Sequence, residues 1–407
     1  MTLERRLPQD IRVLLLESIH PDASAFLSKE GYQVETLDRA LGEDELVARL
    51  AEVDVIGIRS NTHMPAVALG SAPHLLAVGA FCIGTNQIDL PAATARGIAV
   101  FNAPFSNTRS VVELVIGEII SLQRGLTDKS RQMHEGKWQK SAKGSHEIRG
   151  RRLGIVGYGN IGSQLSVLAE GLGMSVYFYD TDDKLALGNA KRCASLEELL
   201  EAVEVVTLHV DGRPANRGMF GEAELSRMRA GSFFLNLSRG FVVDHEALRA
   251  HIESGHLAGA SVDVFPKEPK RKDDPFVSEL RGLPNVILTP HVGGSTEEAQ
   301  QDIGRFVAGK LHDYLAHGAT SLSVNLPNLV LPPRAGEFRL THVHSNVPGV
   351  LAAVNSVFAS HGMNIESQFL ATKGDVGYVI TDTPSDFPPE VTRVLAEMPS
   401  TVRLRIL

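Results

Sequence analysis

The chain has 407 residues, 43% of them hydrophobic, which suits two or three domains with substantial cores and excludes a disordered protein. Its formal net charge of −8 argues against the basic face that nucleic acid or an anionic membrane demands, but leaves room for a local basic pocket. The two cysteines, Cys82 and Cys193, show no C-x-x-C or zinc spacing, no apolar run is long enough to span a bilayer, and MTLERRLPQD lacks an apolar h-region; a soluble, cytoplasmic protein without a metal site is expected.

Along the first hundred residues, short apolar β-prone runs at 11–16, 33–37, 53–58, 75–79 and 98–101 alternate with helical segments such as 43–51. That order predicts an open α/β sheet with helices on both faces. Residues 108–122 predict a helix, with Val112, Val115, Ile116 and Ile119 at helical spacing. Glu113 and Glu118 are its only acids, so it reads as apolar nearly all round and buried between domains or subunits.

A second α/β block starts at GYGNIG, residues 157–162. An apolar strand (153–156) precedes it, a helical stretch (163–172) follows, and a further strand (176–179) ends on Asp180. Strand, glycine turn, helix, strand, acid is the order of a dinucleotide site. Gly157 permits the turn, Gly159 clears room for a pyrophosphate, and Gly162 lets the helix approach the sheet. Tyr158, Asn160 and Ile161 complete the turn, and the pyrophosphate would sit on free N–H groups at the helix start. Asp180 would accept from ribose hydroxyls and repel a 2′-phosphate, which favours NAD over NADP. The plainer alternative is an ordinary strand–helix turn.

Further strands are predicted at 205–208, 233–237, 259–262 and 286–289, and ligands of open α/β sheets bind beyond the carboxyl ends of strands. His209 and Val210, then Ser238 and Arg239, then Asp263, then His291 follow those ends in turn. Arg239 offers a fork for a carboxylate, and its alternative is a surface arginine. His291, ahead of Gly293 and Gly294, suits proton exchange with a hydroxyl, against the alternative of a loop histidine. Glu268 would fix the imidazole tautomer, unless it is a solvated acid beside Pro269. In the first block, Arg59 and Ser60 end one strand, and Cys82, Ile83 and Gly84 follow another, positions from which a substrate could be met. Cys82 also suits simple packing. Lys140 is kept as a substrate candidate beside Arg131, against the alternative that both are solvated.

LPNLVLPPRA, residues 326–335, reads as a linker. Beyond it, strands at 338–344, 364–371, 377–382 and 402–407 and helices at 348–361 and 388–397 give the order βαββαβ, a ferredoxin-like arrangement.

FNAPFSNTRSVVELVIGE, GYGNIG, LNLSRGFVVD, AGASVDVFPKEP and LTPHVGGSTEEAQ together resemble the D-isomer-specific 2-hydroxyacid dehydrogenases. The resemblance extends over essentially the whole chain, to the branch that carries a C-terminal ACT domain and oxidises 3-phosphoglycerate to 3-phosphohydroxypyruvate in serine synthesis. It implies Arg239, Glu268 and His291 as the catalytic set and Asn107 among the substrate contacts. It implies a substrate domain of residues 1–106 and 296–326 and an inserted Rossmann NAD domain of 107–295. A linker of 327–336 and an ACT domain of 337–407 follow. HVHSNVPGVLAAV and HGMNI imply an L-serine effector site at His344, Asn346 and Asn364 between two ACT domains of a homotetramer; otherwise Asn346 caps the next helix and Asn364 ends a turn. One departure stands out, Asn61 where a second basic residue is expected. The alternatives are another 2-hydroxyacid dehydrogenase, acting on 2-hydroxyglutarate or 2-oxoglutarate, and a non-catalytic NAD-sensing regulator.

Overall fold

The computed structural model describes residues 5–269, 274–331 and 337–407; part of the expected linker, residues 332–336, lies outside them. The described chain divides into two compact units, one of residues 1–106 and 300–407 and one of 107–299. The βαββαβ tail thus groups with the first sheet.

In the first unit, strands β1 (Arg12–Leu15), β2 (Gln33–Thr36), β3 (Val55–Ile58), β4 (Ala77–Ala80) and β5 (Ala99–Asn102) form a parallel sheet of order β2-β1-β3-β4-β5. β3 and β4 are buried along their whole length, as strands covered on both faces must be. The chain order reverses between β1 and β3, so the loops leaving those two strands open on one crevice.

The second unit carries β6 (Arg152–Val156), β7 (Ser175–Tyr179), β8 (Lys191–Arg192), β9 (Val205–Leu208), β10 (Ser232–Asn236), β11 (Leu257–Val262) and β12 (Val286–Leu288), all parallel. Their order is β12-β11-β10-β9-β6-β7-β8. The reversal falls between β6 and β9, beside the glycine turn. β8, only two residues of charged side chains, escapes sequence patterning.

The helix predicted from residue 108 runs Thr108–Arg124 and ends on Gly125 in the left-handed region at φ 55°. It is amphipathic rather than apolar all round: Val111, Val112, Val115, Ile119 and Leu122 are buried, and Arg109 and Glu113 are exposed. Glu118 is on the buried face at 4% exposure, and neither of its carboxylate oxygens has a hydrogen-bond partner among the described residues. Burial pushes it up to about 7, with the neighbouring Asp263 charge adding to the rise and Ser261 opposing it.

The tail forms an antiparallel sheet of β13 (Phe338–Ser345), β14 (Ser367–Lys373), β15 (Val376–Thr383) and β16 (Thr401–Ile406), ordered β14-β15-β13-β16, with helices Val350–Ser360 and Pro389–Glu397. Its Val343, Tyr378 and Ile380 share one core with Val307, Leu311, Tyr314 and Leu315 of the helix Glu297–His317.

Candidate active site

The glycine turn is built as the residue types demand. Gly157 stands at φ 92°, and a Cβ there would lie 2.6 Å from the His209 carbonyl oxygen. A Cβ on Gly162 would lie 2.2 Å from the Gly157 carbonyl oxygen. A Cβ on Gly159 would meet nothing within 4 Å, so the space in front of that residue is open. Gly159 caps the helix Asn160–Gly171 with no side-chain hydrogen bond, leaving the first N–H groups free for an anion. These features fit a dinucleotide pyrophosphate.

A cavity of about 210 Å³ opens at this turn, bounded by Gly157, Gly159, Asp180, His209 and Val210. Asp180 is more engaged than expected: it accepts from Tyr158 N at 2.7 Å and from Asp182 N at 2.9 Å. It orients the glycine turn and keeps lone pairs for a ribose. The Tyr158 side chain does not face the coenzyme site. It is 3% exposed, stacks on Phe178 with ring centroids 3.7 Å apart, and bonds Ser166 Oγ at 2.6 Å. Ile161 packs against the core, and Asn160 stays exposed. Burial pushes His209 down to about 3, so its imidazole is neutral. Asp211 and Arg213, not singled out from sequence, also line the cavity. Arg213 is already paired with Asp211 at 2.6 Å, which weakens it as a grip for a 2′-phosphate.

The strand ends beyond β10, β11 and β12 converge. Gly240 makes this possible: a Cβ there would lie 2.0 Å from the Phe265 carbonyl carbon, so the turn carrying Arg239 packs directly on the segment leading to Glu268. Asn236, fully buried, orders that turn by accepting from Ser238 N and Oγ and donating to the Arg239 carbonyl at 3.1 Å. Sequence reading passed over it as a strand residue. Arg239 Nη1 donates to the Ser238 carbonyl at 2.7 Å, and Nε and Nη2 make no hydrogen bond among the described residues.

His291 Nδ1 lies 2.9 Å from Glu268 Oε2, and Glu268 Oε1 accepts from Phe265 N at 3.1 Å. The contact that sequence alone left open is therefore present. The hydrogen bond to Glu268 holds His291 above the usual histidine range, against a smaller opposing effect of burial. Burial pushes Glu268 up, but His291, the Phe265 amide and Arg239 outweigh it and leave Glu268 below the usual carboxylate range. His291 itself sits in the left-handed region, at φ 54°, a strained setting for a non-glycine residue. Asp263 holds it there. The Asp263 carbonyl accepts from His291 N, and its carboxylate from Val292 N, Gly293 N and Thr289 Oγ1 at 2.6–2.9 Å. Asp263 thus organises the loop. Asn107 lies beneath the same loop: its Nδ2 is 2.0 Å from where a Gly294 Cβ would stand. Lys140 is exposed, and Arg131 pairs with Asp128.

In the first unit, the two candidate substrate loops are tied together from behind. Gln87 Nε2 donates to the Arg59 carbonyl at 2.8 Å and reaches Cys82 Sγ at 3.4 Å; Asn102 Nδ2 donates to the Ile83 carbonyl at 2.6 Å. Cys82 Sγ also contacts the Gly84 carbonyl at 3.2 Å. Ser60 and Asn61 are exposed and Arg59 is half-buried.

In the ACT-like sheet, one chain does not bring the three expected effector residues together. His344 and Asn346 lie at and just beyond the C-terminal end of β13, whereas Asn364 precedes β14. Ser367 of β14 is level with Arg339, at the start of β13, through their common neighbour Asp382. A strand rise of about 3.4 Å per residue separates the two ends by roughly 20 Å. Asn346 does not cap the following helix; its amide donates to the Gly374 carbonyl at 3.0 Å.

Comparison with known proteins fits this geometry. The NAD binding domain of the D-isomer specific 2-hydroxyacid dehydrogenases matches residues 116–293, and the AHAS small subunit-like ACT domain matches 340–403. The chain is 49% identical over 398 residues to the D-3-phosphoglycerate dehydrogenase of Haemophilus influenzae, covering 98% of this chain and 97% of that one. It is also 49% identical over 400 residues to the Escherichia coli K12 enzyme of the same name, with the same coverage. Among solved structures, the NAD-dependent formate dehydrogenase of Staphylococcus aureus in complex with NAD is similar at 26% identity and a TM-score of 0.64, over 75% of this chain and 96% of that one. No described helix is long and apolar enough to cross a membrane.

Proposed function

The chain belongs to the D-isomer specific 2-hydroxyacid dehydrogenases, and from that membership we propose that it oxidises 3-phosphoglycerate to 3-phosphohydroxypyruvate with NAD, in L-serine synthesis. The observation that carries this reading is the His291–Glu268 pair, packed against the Arg239 turn in a chain that shares 49% identity with such enzymes along nearly its whole length.

Bound NAD supplies the acceptor for the hydride leaving the carbinol carbon. The chain does the rest. The free N–H groups at the start of the helix Asn160–Gly171 hold the pyrophosphate, and Asp180 favours an unphosphorylated ribose. Glu268 accepts from Nδ1 of His291, which leaves Nε2 to take the hydroxyl proton and return it in the reverse direction. Arg239 grips the substrate carboxylate through Nε and Nη2. Arg59 and Ser60 serve the phosphate.

A second reading, an unphosphorylated acid such as 2-hydroxyglutarate, draws on Asn61, which leaves that loop with one cation. Initial rates of NADH formation with both acids, for the wild type and His291→Ala, test the assignment. The wild type is expected to prefer 3-phosphoglycerate, and His291→Ala to lose about a hundredfold or more in kcat. Equal turnover by both proteins removes His291 from the mechanism.

L-serine is the proposed effector. Because Asn364 lies far from His344 and Asn346 in one chain, the site needs two copies, one lending His344 and Asn346 and the other Asn364, consistent with the proposed homotetramer. If millimolar serine changes neither rate nor coenzyme affinity, the effector role fails; sedimentation reads the assembly size.

A further inference from the structure

The crevice of the first sheet lies where the loops after β1 and β3 leave side by side. The loop after β1 carries Glu17, 7% exposed. Its Oε1 accepts from Arg59 N at 3.0 Å and Thr62 N at 2.9 Å, and its Oε2 from Asn61 N at 3.0 Å. From the other side Gln87, also 7% exposed, donates to the Arg59 carbonyl. The backbone that delivers Glu17 is unusual. Glu17 and Ser18 both lie in the left-handed region, at φ 61° and 51°. They are held there by hydrogen bonds from Glu17 N to the Arg39 carbonyl and from Ser18 N to the Leu37 carbonyl. Two consecutive non-glycine residues in that region carry a conformational cost that the surroundings must offset.

This has a chemical consequence for the loop. A turn with several free N–H groups can hold a phosphate on its backbone, but here three of those donors point at a buried carboxylate. An anion meeting residues 59–62 is left the Ser60 N–H, the one backbone donor of that loop that Glu17 does not take, together with the side chains: the Arg59 guanidinium, the Ser60 hydroxyl and the Asn61 amide. Their aim depends on the backbone that Glu17 and Gln87 fix.

We propose that Glu17 is a positioning residue for the anionic end of the substrate, holding the 59–62 loop by three charge-assisted hydrogen bonds so that the Arg59, Ser60 and Asn61 side chains and the Ser60 N–H are presented to it. The identity of that anionic end as a phosphate rests on the reading above; the positioning role does not.

The test is steady-state kinetics of full-length Glu17→Gln and, as a second route to the same loop, Gln87→Met. The glutamine at position 17 keeps the shape but turns an NH2 group toward backbone donors, so at least one of the three bonds is lost. The expected result is a tenfold or larger rise in KM for 3-phosphoglycerate, less than a twofold change in kcat, and an unchanged KM for NAD. A purely structural role would instead lower the melting temperature and the active fraction while leaving KM alone. An unchanged KM for the acid in folded Glu17→Gln overturns the proposal, as does an equal rise in the KM for NAD. If Glu17→Gln does not fold, Gln87→Met decides by the same criteria. If wild-type protein does not oxidise 3-phosphoglycerate, the substrate reading has failed, and the same KM comparison on the 2-hydroxy acid it does oxidise still decides the role of Glu17.

Discussion

At the scale of single residues, the site depends on carboxylates whose partners are set by packing. Glu268 and His291 were legible as candidates because each follows a strand end, but their 2.9 Å contact depends on the parallel pairing of β11 and β12, which sets the two strand-end segments side by side. The pair has a defined pH signature. Glu268 holds the His291 pKa above the ordinary histidine value, so the proton is retained to higher pH. Oxidation needs the neutral base, and so its rate rises as pH climbs through that raised pKa. Glu268→Gln removes the charge and lets the pKa fall. The acidic limb of kcat/KM for oxidation should move to lower pH, while the plateau drops about tenfold or more as the imidazole loses its orientation. A pH–rate profile whose acidic limb stays in place would show that the two groups are not coupled. Glu118 teaches the opposite lesson. Its helix reads as apolar nearly all round, yet the acid sits on the face that packs inward, where burial pushes its carboxyl well above the usual carboxylate range.

At the scale of elements, the strand–turn–helix around residues 157–162 was readable because each glycine answers a local steric demand. Those demands differ in kind and can be separated. A methyl group on Gly162 collides with the Gly157 carbonyl, whereas one on Gly159 enters open space. Gly159→Ala should therefore fold with a near-native melting temperature and lose NADH affinity, since the space it fills is where a pyrophosphate would approach. Gly162→Ala should lose both stability and affinity. Fluorescence titration with NADH beside a thermal melt distinguishes them; equal melting losses in the two variants would contradict the geometry. Strand ends differed by up to three residues from expectation, as in the strand expected at 233–237 and observed at Ser232–Asn236, and the one expected at 364–371 and observed at Ser367–Lys373. The last residues of a strand are decided by its neighbours' hydrogen bonds.

At the scale of the whole molecule, the tail behaves as part of the first unit. Arg339 and Asp382, both essentially buried, form a two-pronged ion pair at 2.6 and 2.7 Å, and the third guanidinium nitrogen donates to the His317 carbonyl at the end of the helix Glu297–His317. Tyr378 Oη donates to the Gly318 carbonyl at 2.7 Å. Removing one partner of such a pair leaves the other charge buried without its counter-ion, which costs about 3–5 kcal/mol. Arg339→Met should accordingly destabilise the first unit by that order in chemical denaturation; a loss below about 1 kcal/mol would mean that the pair contributes little to holding tail and helix together.

Taken alone, the amino-acid sequence determined the α/β class, the βαββαβ tail, the dinucleotide turn and the candidate groups that follow the strand ends, because hydrophobic period and glycine placement act over a few residues. Tertiary structure alone decided that Glu268 meets His291, that Asp180 and Asp263 hold loops, that Glu17 lies under the 59–62 loop, and that Asn346 and Asn364 stand at opposite ends of one sheet. Each of these pairings spans a stretch of chain that carries no local record of its partner. Only the strand order, which brings distant segments side by side, supplies it.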